Sequence, residues 1–374
     1  YFKQASAMSK RLYKDQDHPD IAQALNNVGI SLLKLGSYQE ALGYFKQALA
    51  MSKRLYKDQD HPDIAQALNN VGMTVGHLGN ERKALAYKKQ ALEMFQQLYQ
   101  GQDHPNIAES LNNVGYGLRE LGSYQESLAY HKQALVMRQR LYQAQDHPLL
   151  AASLNNVGYG LGELGNHQEA LAYYKQALEM FKRLYQAQDH PFLAVFLNNV
   201  GYTLGGLGSY QEALAYHKQA LVMLKRLYQD QDHPYTVRVL NKMGMTLGRS
   251  GAYQEGLASY QEALAMQKRL YKDQDHPWVA ETLHSMGEAL EGLGKFTEAV
   301  THYNQALGMA LRVYQQAHPH ITVYFNNLIS TLRNLADPAL LQQTKDEVMP
   351  LCTQWLGEDH ALTQQLRHAS LHSE

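Results

Sequence analysis

The chain has 374 residues and a single cysteine, Cys352, so no disulfide framework can hold it together. A reducing, intracellular setting, the cytoplasm, is therefore expected. No apolar run approaches the roughly 18 residues that cross a membrane, and no signal peptide is expected. Excess charge is missing too: 34 Lys and Arg against 35 Asp and Glu leave a net charge of −1. That balance is a poor match for a nucleic-acid partner, whose phosphates call for clustered positive charge. Glycine-rich phosphate loops, zinc-protease helices and nucleophile elbows are absent. Cys352 has no evident base partner and reads as an ordinary buried thiol. Enzyme activity, a cofactor, a metal, nucleic acid and a membrane are accordingly not expected.

What the chain has in abundance is repetition. Asp17-His18-Pro19 recurs every 43 residues, at Pro62, Pro105, Pro148, Pro191, Pro234 and Pro277. A degraded copy follows at His318-Pro319, and a trace at Asp359-His360. Residues 1–29 and 44–72 differ only at Ser6 versus Leu49. A fixed period of this length marks a stacked array in which each unit touches only its neighbours. Half of the 18 histidines belong to the junction and its degraded copies. Equivalent positions in stacked repeats lie about 8–10 Å apart, too far to share a zinc ion. The tripeptide itself reads as punctuation that stops one helix and starts the next, without chemistry of its own.

Within residues 18–60, Pro19 suits the first turn of a helix capped by Asp17 or His18. Ile21, Leu25, Val28, Leu32 and Leu35 recur at helical spacing, so a first helix is expected from about Pro19 to Leu35. Gly36 ends it, and Ser37 to Glu40 has the form of a capping box. The second helix carries Ala41, Tyr44, Phe45, Ala48, Leu49, Ser52 and Leu55 on one stripe and ends near Lys57. So short a turn makes the two helices antiparallel. Gly29, Gly72, Gly115, Gly158, Gly201, Gly244 and Gly287 share one mid-helix position. A glycine there costs about 1 kcal/mol relative to alanine, so its recurrence implies close approach of another helix. The fold class is all-α, an α-α superhelix of helix-turn-helix repeats. The expected divisions are a half repeat at 1–17, seven full repeats at 18–317, a degenerate eighth at 318–359 and a capping tail at 360–374.

The run from Leu25-Asn26-Asn27-Val28-Gly29 through Leu32, Gly36, Tyr38, Ala41 and Phe45 to Ala48 resembles a tetratricopeptide repeat. Its extension through Lys-Arg-Leu-Tyr and Asp-His-Pro is similar to the long repeats of kinesin light chains. The resemblance implies that first helices line a concave groove and that asparagines there grip an extended peptide. Asn27, Asn70, Asn113, Asn156 and Asn199 match that role, because an amide can pair with any peptide bond. They serve equally well as bonds between neighbouring helices.

Departures from the repeat carry the functional signal. Three positions later stand Ile30, Met73, then Tyr116, Tyr159, Tyr202, then Met245 and Glu288. Tyrosines beside glycines suit a binding surface, or else pack on the next helix. The residue after His-Pro changes from Asp20, Asp63 and Asn106 to Leu149, Phe192, Tyr235 and Trp278. These four would form an apolar ladder along the groove lip, or staple the helix to the preceding loop. Arg238, Lys242 and Arg249 interrupt repeat six; Asn199, Arg238 and Lys242 resemble part of the carboxylate clamp of chaperone-binding relatives. Asn155 and Tyr159 depart from that clamp, so the patch either meets an acidic side chain in the ligand or is a solvated helix face with no partner. The leading reading is a scaffold that binds a protein or peptide in the groove. The alternatives are a regulatory array of a larger protein, since the chain starts at Tyr1 within a repeat, and self-association through repeat ends.

Overall fold

The computed structural model describes residues 16–143, 145–186 and 188–370. The half repeat expected at 1–17 lies outside the described residues, apart from Gln16 and Asp17. Seventeen helices and no strand occur among the described residues. The array is an all-α solenoid of antiparallel hairpins, and its helices keep the 43-residue period. It divides into two compact units, 1–186 and 187–374.

In the first unit the hairpins pair α1 (Pro19–Lys34) with α2 (Tyr38–Leu55) and α3 (Pro62–His77) with α4 (Glu81–Leu98). Then α5 (Pro105–Glu120) pairs with α6 (Tyr124–Leu141), and α7 (Pro148–Glu163) with α8 (His167–Leu184). In the second unit α9 (Pro191–Gly206) pairs with α10 (Tyr210–Tyr228), and α11 (Pro234–Arg249) with α12 (Tyr253–Tyr271). The chain continues through α13 (Pro277–Gly292), α14 (Phe296–Tyr314), α15 (Pro319–Leu335), α16 (Pro338–Leu356) and α17 (Ala361–Arg367). Odd-numbered helices up to α15 are the first helices of their repeats.

Each first helix starts on its junction histidine. In α1 the His18 Nδ1 accepts from the Asp20 N–H at 3.2 Å, while Pro19 fills the first helical position. The same bond opens every first helix from α3 to α15. An accepting Nδ1 must be unprotonated, so these caps need neutral imidazole.

The hairpin turns differ from the expected capping box. Ser37, Ser123 and Ser209 stand at the N-cap, yet their side chains make no capping bond. The chain enters through left-handed Gly36 (φ 75°), and the Ser37 N–H donates back to the Leu32 carbonyl at 2.9 Å. This closing motif of the first helix fixes Ser37 near ψ 61°, short of the extended conformation from which a hydroxyl caps. In the second repeat Asn80 does cap, accepting from the Lys83 N–H.

The repeated mid-helix glycine receives the second helix. A Cβ on Gly29 would meet the Phe45 ring at 2.6 Å, and on Gly115 the His131 ring at 2.7 Å. The residue sixteen positions after each glycine fills this place: Phe45, Lys88, His131, Tyr174, His217, Tyr260 and Tyr303. Ala41, Ala84, Ala170 and Ala213 are fully buried at the same contact. Cys352 is fully buried in the C-terminal core with Val348, Leu362 and Leu366, and burial pushes its thiol up to about 11.

The Asp-His-Pro junction does more than punctuate. In the first unit the carboxylates of Asp17, Asp103 and Asp146 each accept two hydrogen bonds from an arginine 37 residues on. In the second unit Asp189, Asp232 and Asp275 do the same with Arg226, Arg269 and Arg312. Bidentate pairing of this kind needs the planar guanidinium. The tyrosine that ends each Lys-Arg-Leu-Tyr run stacks on the histidine, as in Tyr56–His61 (3.4 Å) and Tyr228–His233 (3.6 Å between ring centroids). One tripeptide thus caps a helix, stacks on the preceding helix end and ties down the next repeat.

Candidate functional site

The expected binding residues lie on the first helices, but their surroundings differ. In the first unit Asn70 is buried, donating to Asn26 Oδ1 and accepting from Gln66, both at 3.4 Å. Asn156 is also buried; it donates to Asn112 Oδ1 (3.2 Å) and accepts from the Tyr116 hydroxyl (2.8 Å). Both amides are committed to neighbouring helices. Asn27 and Asn113 are half-buried and make no side-chain hydrogen bond among the described residues. Asn199, in the second unit, is half-buried as well.

The tyrosines sit among cations. The Arg119 guanidinium lies 5.3 Å from the Tyr116 ring and 4.9 Å from the Tyr159 ring, and it pairs with Glu120. Burial, with the Glu163 charge, raises the Tyr159 hydroxyl above its ordinary value. In the second unit the Tyr202 ring holds Lys242 Nζ at 4.1 Å and the Arg249 guanidinium at 4.9 Å. Such contacts contribute about 0.5–2 kcal/mol each, more as water is excluded. Arg119 was not anticipated as part of this arrangement. Its signal was present, since it interrupts the glycines Gly76 and Gly162 at its repeat position.

Arg119 also adjoins a buried lysine. Lys88 is 8% exposed and reaches from α4 between Gly72 and Gly117; a Cβ on Gly117 would lie 3.5 Å from its Nζ. Burial lowers its pKa against the charges of Glu81 and Glu120. The same burial raises Glu81 and lowers His77, on which Tyr38 stacks at 4.8 Å.

The positions after His-Pro are open. Leu149 is 43% exposed in the first unit; in the second, Phe192 is 50% and Trp278 42% exposed, with Tyr235 half-buried. Arg238 is exposed on α11 and makes no ion pair among the described residues. Lys242 follows one turn later on the same helix face. The second unit therefore places an unpaired cation, a cation-covered tyrosine and exposed rings on its first helices. Among the described residues no group of three or more His, Cys, Asp or Glu could hold a metal ion. No described helix is long and apolar enough to cross a membrane.

A family model described as tetratricopeptide repeat matches residues 1–54, 20–97, 63–140, 106–183, 149–226, 192–269 and 235–312. No curated protein matches the chain. Among solved structures, a Rap protein complexed with competence and sporulation factor is similar at 18% identity and a TM-score of 0.61. That match covers 82% of this chain and 81% of the other. The apo form of RapI gives 17% identity and a TM-score of 0.59, over 78% of this chain and 98% of the other. The nearly identical repeats of a putative kinesin light chain from Podosopora anserina give 18% identity and a TM-score of 0.46, over 56% and 98%.

Proposed function

The chain belongs to the tetratricopeptide repeat family, and we propose that it is a protein-interaction scaffold whose first-helix faces hold an extended segment of a partner. The observation that carries this reading is Arg238: an exposed guanidinium without an ion pair among the described residues, one turn from Lys242 and three residues after the half-buried Tyr235. Unpaired arginine beside aromatic surface is the composition of binding hot spots, and it selects a ligand with an acidic group. In the first unit Asn113 supports the same reading, because its free amide can pair with a peptide backbone. Asn70 and Asn156 position helices in this account and do not touch ligand. The Rap structure of similar fold contains a bound factor, which is compatible with an array of this kind serving as a receptor.

The test is a random-peptide display selection on the whole chain, followed by affinity measurements on the selected peptides. Arg238→Glu is expected to weaken acidic peptides at least tenfold. Tyr159→Ala with Tyr202→Ala is expected to weaken peptides whatever their charge. Unchanged affinity in both variants removes the first-helix faces from the account.

A further inference from the structure

Repeat two departs from the rest of the array at two places, and both lie on α4. The other full repeats open their second helix with a ring, from Tyr38 to Phe296, whereas repeat two has Glu81. The place packed on the mid-helix glycine likewise holds a ring in the others, from Phe45 to Tyr303, and Lys88 here. A fold that accepts a ring at both places needs a charge at neither. Lys88 is only 8% exposed, and burying an ammonium costs stability. The double exchange therefore serves something other than packing.

The two charges are about two helical turns apart and share a face of α4. Both reach forward where a glycine leaves room. Glu81 Oε2 lies 3.2 Å from the point where a Cβ on Gly76 of α3 would stand. Lys88 Nζ lies 3.5 Å from the corresponding point on Gly117 of α5. Thr74, Thr203 and Thr246 stand at the place of Gly117 in other repeats, so the ammonium takes the room of a first-helix side chain. Among the described residues neither Lys88 nor Glu81 makes a hydrogen bond or an ion pair, even with the other. The remaining charges they feel, Arg119 and Glu120, are paired together. Burial lowers His77, which is neutral at neutral pH.

Charge and geometry select the occupant. Lys88 and Arg119 already balance Glu81 and Glu120, so an ionic side chain entering here would bring an uncompensated charge into a partly buried site. A neutral group that accepts from Lys88 and donates to Glu81 brings none. Both partners come from one helix face, so that group must offer its acceptor and its donor on the same edge. A trans peptide bond points its C=O and N–H in opposite directions. A primary carboxamide carries its oxygen and its NH₂ side by side.

We propose that Lys88 and Glu81 form a subsite for a primary carboxamide, the side chain of a glutamine or asparagine in the partner segment. Lys88 Nζ donates to the amide oxygen, and the amide NH₂ donates to the Glu81 carboxylate. This rests on the reading of the array as a peptide-binding scaffold and names a residue class that the segment carries in the first unit.

A peptide array probed with the whole chain tests it. Each spot carries a random peptide background with one fixed central residue: Gln, Glu, Lys or Met. Retention on the Gln spots is expected to exceed that on the other three at least threefold. Lys88→Met leaves Glu81 uncompensated and should move the preference to Lys. Glu81→Met leaves Lys88 uncompensated and should move it to Glu. Unfolding would lower retention on all spots alike, so an exchange of preference separates recognition from folding. Lys88→Tyr, the residue found at position 174, should fold and lose the Gln preference. A wild-type preference for Glu or Lys, or a Gln preference that survives both Met substitutions, overturns the subsite. If the four sets are retained equally and Arg238→Glu still lowers retention on Glu spots, the scaffold reading stands and this inference falls. If no spot retains the chain, the inference falls, and the scaffold reading then depends on the display selection.

Discussion

Tyr260 occupies the space a methyl group on Gly244 would need: an ideal Cβ there would come within 2.7 Å of its ring. Tyr260 is 4% exposed and cannot swing away without emptying the core. Gly244→Ala therefore pits a helix-propensity gain of about 1 kcal/mol against overpacking of about 1–3 kcal/mol. A lower urea midpoint is expected. Gly43 is the contrast, mid-helix in α2 and exposed, with nothing near its missing Cβ. Gly43→Ala should raise stability by up to about 1 kcal/mol. Equal effects of the two substitutions would refute the packing account.

Lys88 stands where other repeats place Phe45, Tyr174, Tyr260 or Tyr303. Its burial penalises the ammonium, so Lys88→Tyr should stabilise the first unit by about 1–2 kcal/mol. Denaturant unfolding followed by circular dichroism reads this directly. A fall in the midpoint would mean that Glu81 and Glu120 stabilise the charge more than burial costs.

The fasteners at the junctions have one gap. Asp60 has no ion pair among the described residues, because Gln97 stands where Arg54 and Arg140 stand in their repeats. Gln97→Arg should supply the missing bidentate pair and raise the thermal midpoint by about a degree at low salt. Because the pair is exposed, the gain should vanish at about 1 M salt. A gain that persists there would point to packing instead.

Stability should fall as pH drops from about 6.5 toward 4. Burial lowers His131, His217, His276 and His284 to about 4, whereas unfolded histidine titrates near 6.5. Between those values the unfolded chain binds more protons, so stability rises with pH and is fully present above about 6.5. The contribution is on the order of a few kcal/mol for each buried ring. His217 bonds Asn198 through Nδ1 (2.9 Å) and Thr246 through Nε2 (3.1 Å). His217→Tyr, the residue found at positions 174 and 260, should flatten the midpoint-versus-pH curve in that window. Asp17, Asp103, Asp146 and Asp232 act lower down. The arginine hydrogen bonds hold these carboxyls below their ordinary value, so their share is present above about pH 4 and lost only as pH falls further. An unchanged slope in the His217 variant between about 6.5 and 4 would remove that histidine from the account.

The fold was legible in one dimension. A fixed period, proline after the capping histidine, glycine at each turn and an apolar stripe at helical spacing are local signals, and each acts within a few residues of where it is written. The mid-helix glycines even disclosed a close approach, since nothing else offsets their cost in a helix. What each polar residue is for emerged only from the packed stack. Asn70 and Asn156 look like Asn27 and Asn113 in the repeat, yet the first pair bonds to neighbouring helices and the second pair does not. Tyr116 and Tyr159 read equally as anchors or as packing on the next helix until Arg119 is seen between them. Asp17 reads as a helix stop until Arg54 meets it 37 residues on. A side chain's partners across the stack depend on which residue the next repeat happens to supply, and one repeat's pattern does not contain that information.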